Sequence, residues 1–114
     1  MQPTFTLPIV LGPTLAANHT FQFKAPFDMQ LVAVSHVNST ANAGTLKIGT
    51  AADDDAYLEA TSFGVSGTPV EVSRAGFVGG QFPHIPKGTT VVVTVVDHAS
   101  HMAFADVVLT MTRG

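Results

Sequence analysis

The residues in this 114-residue chain that most invite chemistry are Asp97, His98 and His101, which fall within one short segment. Two imidazoles and a carboxylate in a tight loop are donors that divalent transition ions accept. A complete site needs a third or fourth ligand, and no further residue stands at a spacing that supplies one. The trio therefore reads as the polar tip of a turn. It is a weak metal candidate, and no metal or other cofactor is assigned. Asp53, Asp54 and Asp55 with Glu59 form the second group of donors. They lack the alternating acids and central Gly of a calcium loop. The same acids suit the first turn of a helix, where the macrodipole favours negative charge.

Covalent catalysis needs a nucleophile held against a base. The segment Gly64-Val65-Ser66-Gly67 is one residue short of a nucleophile elbow. Gly76, Gly79 and Gly80 are not followed by Lys-Ser or Lys-Thr, so they make no phosphate loop. No pair among the eight acids has the facing arrangement that glycoside hydrolysis requires. No catalytic residue is assigned, and the chain is expected not to be an enzyme.

Composition narrows the classes further. The length suits one domain. Charged residues make up 11% of the chain, against about 25% in an ordinary soluble domain. Low charge fits either a Thr-, Ser- and Asn-covered β domain or a surface covered by partners, because interface cores are depleted of charge. Net charge is −3, and the five cations, Lys24, Lys47, Arg74, Lys87 and Arg113, are scattered. A nucleic-acid backbone needs clustered cations, so no nucleic-acid partner is expected. Without Cys there are no disulfides or thiolate sites. The absence of Trp and a single Tyr weigh against a sugar-stacking platform. The first residues lack the basic start and unbroken apolar core of a signal peptide. No apolar run approaches the roughly 20 residues of a membrane span.

The elements that must position these residues read as strands. Phe5, Leu7, Ile9 and Leu11 alternate with Thr4, Thr6, Pro8 and Val10, which is the strand period. Pro8 has no N–H to give, so residues 1–18 are expected to form an edge strand or extended arm, with a β-sandwich domain over 19–114. Phe21 and Phe23 share one face of a short strand that Pro26 ends. From Phe27 to Val37 both faces are apolar in the middle, as in a central strand or one covered by a neighbouring subunit. Thr45–Thr50 and 69–73 read as strands, and 51–60 as one short helix that Thr50 caps. Pro86-Lys87-Gly88-Thr89 reads as a turn that launches the Val-rich strand 90–96. That strand is expected to pair with 103–112 as a long antiparallel hairpin. The sum is an all-β chain, an antiparallel two-sheet sandwich or jelly roll of about eight strands with one short helix. An immunoglobulin-like sandwich is the alternative, without its Cys and Trp signature.

Three stretches resemble small capsid decoration, or cement, proteins of tailed bacteriophages. They are residues 24–34, residues 44–58, and the closing pattern from Ile85-Pro86-Lys87-Gly88-Thr89 through Ala105–Thr112 to Gly114. The resemblance runs from about Phe21 onward and is one of pattern. It implies a jelly roll or sandwich, often trimeric, that sits on the outer capsid surface of the virion and binds the major capsid protein. It transfers no catalytic residue. The N-terminal residues and the lack of a spanning run lead to the expectation of synthesis in a host cytoplasm without secretion by a signal peptide, and of no membrane partner. Phe5, Leu7, Ile9 and Leu11 are the expected partner contacts, because the proline-bearing segment can add a strand to a neighbour's sheet edge. A tail or fibre component, or a carbohydrate-binding sandwich, is the competing reading.

Overall fold

A computed structural model describes residues 4–10, 18–39, 44–63, 67–96 and 105–113. Nine strands follow in order: β1 (Thr4–Val10), β2 (His19–Lys24), β3 (Met29–Val37), β4 (Thr45–Thr50), β5 (Leu58–Ser62), β6 (Val70–Val72), β7 (His84–Ile85), β8 (Thr90–Val96) and β9 (Asp106–Arg113). Two single 3-10 turns, Arg74–Gly76 and Val78–Gly80, lie between β6 and β7. The strands form two antiparallel sheets that pack as a sandwich. One sheet runs β1-β9-β3-β6, with β7 also on β3, and the other runs β2-β8-β4-β5.

The pairing is nested. β1 pairs β9, β2 pairs β8, β3 pairs β6 and β7, and β4 pairs β5. The chain is thus one long antiparallel ribbon with its tip between β4 and β5. Rolling the ribbon brings β9 onto β3 and β8 onto β4, and this makes two four-strand paths. That arrangement is a jelly roll. The expected hairpin of 90–96 with 103–112 does not form. β8 and β9 are strands, but they lie in different sheets, and each is flanked by strands from the first half of the chain.

Alternation sets the core. Val91, Val93 and Val95 of β8 share the buried core with Leu31 and Val34 of β3 and Val107, Leu109 and Met111 of β9, and Leu46, Ile48, Leu58 and Phe63 belong to the same cluster. Removing this apolar surface from water, at about 25 cal/mol per Å² buried, is what holds the sheets together. In β3 the inward set begins as Met29 and Leu31 and continues as Val34 and His36. A bulge between Leu31 and Ala33 shifts the register against β9 and reverses the phase. That is why both faces of this strand read as apolar. It is central, with β9 on one side and β6 and β7 on the other.

The short helix expected at 51–60 is absent. The Thr50 N–H donates to the Asp53 carbonyl at 2.7 Å, and the Asp53 N–H reaches both the carbonyl and Oγ1 of Thr50, at 3.2 Å each. The Tyr57 N–H donates to the Ile48 carbonyl at 2.9 Å, so the chain reverses and enters β5. Leu58 is then buried against β4. Asp competes for backbone hydrogen bonds and favours turns, and the strand pairing takes the helix-favouring residues that follow. The turn at Pro86-Lys87-Gly88-Thr89 does form. The Thr89 N–H donates to the Pro86 carbonyl at 3.1 Å, and Gly88 sits at φ +89°, the third position of a type II turn.

Candidate functional site

Asp97, His98, His101 and Leu11 lie outside the described residues. The acidic trio Asp53, Asp54 and Asp55 converges on the turn between β4 and β5, with ligand atoms within 4.8 Å of one another and all three residues exposed. Lys47 Nζ lies 3.0 Å from Asp54 Oδ2 and takes up part of that charge. Asp55 is held above the usual carboxylate range, first by a hydrogen bond with the Asp53 side chain and then by partial desolvation and the surrounding acids. Such a cluster on solvated ground is a turn whose like charges have been brought close.

Two shallow open clefts mark the surface. One, of about 400 Å³, lies between β5 and the 3-10 turns, and Glu59 is its sole acid. The other, of about 380 Å³, is lined by Pro26, Phe27, Asp28, Lys87 and Arg113. There the Arg113 guanidinium lies 4.7 Å over the Phe27 ring, Phe27 meets Phe5 edge to face at 5.5 Å, and Asp28 Oδ1 accepts the Lys87 backbone N–H at 2.8 Å. These polar groups fasten loops. Neither cleft sets a nucleophile against a base.

The feature of greatest extent is the outer face of the β1-β9-β3-β6 sheet. Cross-strand register places side chains on it in rows: Thr4, Thr112 and Gln30; Thr6, Thr110 and Ala33; Pro8, Val108 and Ser35; Val10, Asp106 and Val37. Directly opposed residues share a face, so these rows form one surface of small and β-branched side chains. Asp106 is the only ionisable group in these three-strand rows, and the face continues past β3 onto Glu71 of β6, opposite Ser35, and His84 of β7, opposite Gln30. The opposite outer face carries Lys24 and Lys47. The face ends at β1, whose second edge has no strand beside it among the described residues. Val10, at that border, is 75% exposed.

Of the expected partner contacts, the structure places Phe5 and Leu7 half-buried against the core and Ile9 within it, opposite Val107. The residues β1 turns outward are Thr4, Thr6, Pro8 and Val10, the other half of the same alternation. Sequence reasoning passed over His36. It is fully buried on β3, and its Nε2 lies 3.0 Å from the Ser62 carbonyl at the end of β5. A histidine in a central strand that is mostly apolar, with Gln30 and Ser35 its other polar residues, is the signal that marks it.

No protein-family profile matches the sequence, and no curated protein matches it significantly. Among solved structures the chain is similar to one from the Cyanophage Pam1 capsid asymmetric unit, at 18% identity and a TM-score of 0.59, covering 99% of this chain and 85% of that one. It is more distantly similar to a family two carbohydrate esterase from Cellvibrio japonicus, at 17% identity and a TM-score of 0.44 over 100% of this chain and 35% of that one. A chain from infectious bursal disease virus Gx strain gives 12% identity and a TM-score of 0.44, over 97% and 33% of the two chains. At such identities the likeness to the cyanophage chain is one of fold, and the last two carry no argument. The sandwich fold is shared with that chain of the cyanophage capsid structure.

Proposed function

We propose that the chain is a virion structural protein that docks on the outer surface of a phage head and stabilises it, as a decoration or cement protein. The observation that carries this reading is the outer face formed by β1, β9 and β3, where Asp106 is the lone charge in the rows and the border, among the described residues, is an unpaired edge. A surface depleted of charge suits the centre of an interface. The free edge of β1 suits addition of a strand, in which backbone hydrogen bonds supply affinity.

The chemistry of such a part is binding alone. A protein that binds the assembled shell and not its free subunits stabilises the shell by mass action. The partner is the major capsid protein, and clustering of three copies would cover the open edges of β1 and β2 that otherwise invite aggregation. Likeness in fold to a chain of a cyanophage capsid supports the reading at the level of architecture.

The test is co-sedimentation of the purified protein with undecorated heads, followed by thermal challenge of the shells. Stoichiometric binding and a raised temperature of head disruption are expected. Protein that stays in the supernatant at micromolar concentrations would count against a decoration role.

A further inference from the structure

His36 joins the two sheets from inside the core. It stands on β3 of one sheet, and its Nε2 lies 3.0 Å from the carbonyl of Ser62, the last residue of β5 in the other. A carbonyl oxygen only accepts, so Nε2 carries the proton. In the neutral ring Nδ1 is then a bare lone pair, and Nδ1 is buried with no hydrogen-bond partner among the described residues. The ring meets Phe63 edge to face at 4.8 Å.

The surroundings leave no place for a second proton. His36 is opposed by Val107 on β9 and by Val70 on β6, with Leu46 and Ile48 of β4 on the facing sheet. The charged groups of those elements turn the other way. Asp106 precedes Val107 on the outer face, Glu71 opposes Ser35 there, Glu59 is exposed on β5, and Lys47 pairs with Asp54 outside β4. Among the described residues none faces the ring. Protonation would place a charge and an N–H without an acceptor where water does not reach.

We propose that His36 is an acid-sensitive latch between the two sheets, a property independent of any role on a capsid. Neutral, it ties β3 to the end of β5. Acidification opposes the folded sandwich through this one residue. Burial pushes its pKa below the ordinary histidine value, and the hydrogen bond to Ser62 offsets this only in part. The sign follows from linkage. The unfolded chain takes up a proton at His36 near pH 6.5 while the folded chain resists until lower pH. The stability the neutral ring contributes is therefore present above about pH 6.5 and is lost as pH falls towards the depressed folded value.

The experiment is thermal and urea unfolding of the wild type and of His36→Gln between pH 7.5 and 5. Glutamine keeps an amide N–H for the Ser62 carbonyl but does not titrate. The wild-type unfolding constant should rise by up to about tenfold for each pH unit below about 6.5, beyond any rise in the variant. Equal pH dependence in both proteins would overturn the proposal. If the variant does not fold, 15N chemical shifts of the His36 ring in the wild type decide. A ring that stays neutral with Nε2 protonated below pH 6 supports the latch, and one that titrates near 6.5 overturns it.

Discussion

The carbonyl oxygen of Asp53 occupies the space that a Cβ on Gly49 would need. The backbone of Asp54 and the amide of Ala56 crowd the same point. This close approach lets the chain reverse after β4 and lay β5 alongside it. Replacing Gly49 with Ala forces the backbone of the turn outward and pulls Leu58 from its place in the core. A loss of about 2 kcal/mol or more is expected, as for other overpacked sites, read as a lower urea midpoint. An unchanged midpoint would mean that the turn gives way freely.

Asp28 and Lys87 are joined across 59 positions by the Lys87 N–H on the Asp28 carboxylate. The bond anchors the type II turn that launches β8. Asp28→Ala should lower stability by about 1 kcal/mol, and Asp28→Asn, which keeps an acceptor oxygen, by less. Denaturation of the three proteins side by side checks the ranking.

The two halves of β1 separate stability from association. Ile9 is buried, so Ile9→Ala should cost about 2–4 kcal/mol. Val10 is exposed at the border of that face, opposite Asp106, so Val10→Lys should leave stability within about 0.5 kcal/mol while weakening attachment to heads. Deleting residues 1–11 outright is a poor test, because it removes Ile9 and the outward residues together. If Val10→Lys and Thr6→Lys both bind heads as well as the wild type, the face is not the docking surface.

Replacing His98 and His101 together with Ala should change stability by less than about 0.5 kcal/mol if the segment is the polar turn tip that the sequence suggests. Calorimetric titration with zinc should give no heat that the double variant lacks. Stoichiometric binding abolished by the replacements would revive the metal site.

Strands were legible wherever side chains alternate, because the period of two leaves a direct imprint on sequence. Phe5, Leu7 and Ile9 announced one strand and the β-branched run of β8 another, but neither run identified its core-facing side. Partnership was not legible. Adjacent strands joined by a short loop suggest a hairpin, yet in a rolled ribbon β8 and β9 belong to different layers, and only the global topology says so. The Asp run misled for a local reason. Acids that stabilise a helix start also stabilise a turn, and Gly49, whose missing side chain decides the matter, carries no helix signal of its own. The bulge at Val32 hid the phase of β3. The same shift brings His36 inward, and for that reason its burial could not be read by counting residues.

The nested pairing has a temporal consequence. The tip between β4 and β5 closes a small loop, whereas β1 meets β9 only when nearly the whole chain has been gathered, as Phe5 opposite Met111 shows. Closure entropy rises with loop length, so the outermost pair has least reason to form early. Native-state hydrogen exchange should find the amides of β1 opening before those of β3 and β8. Until β1 zips shut, β9 presents a bare flank, and an encountering shell would meet the chain at the seam it seals last.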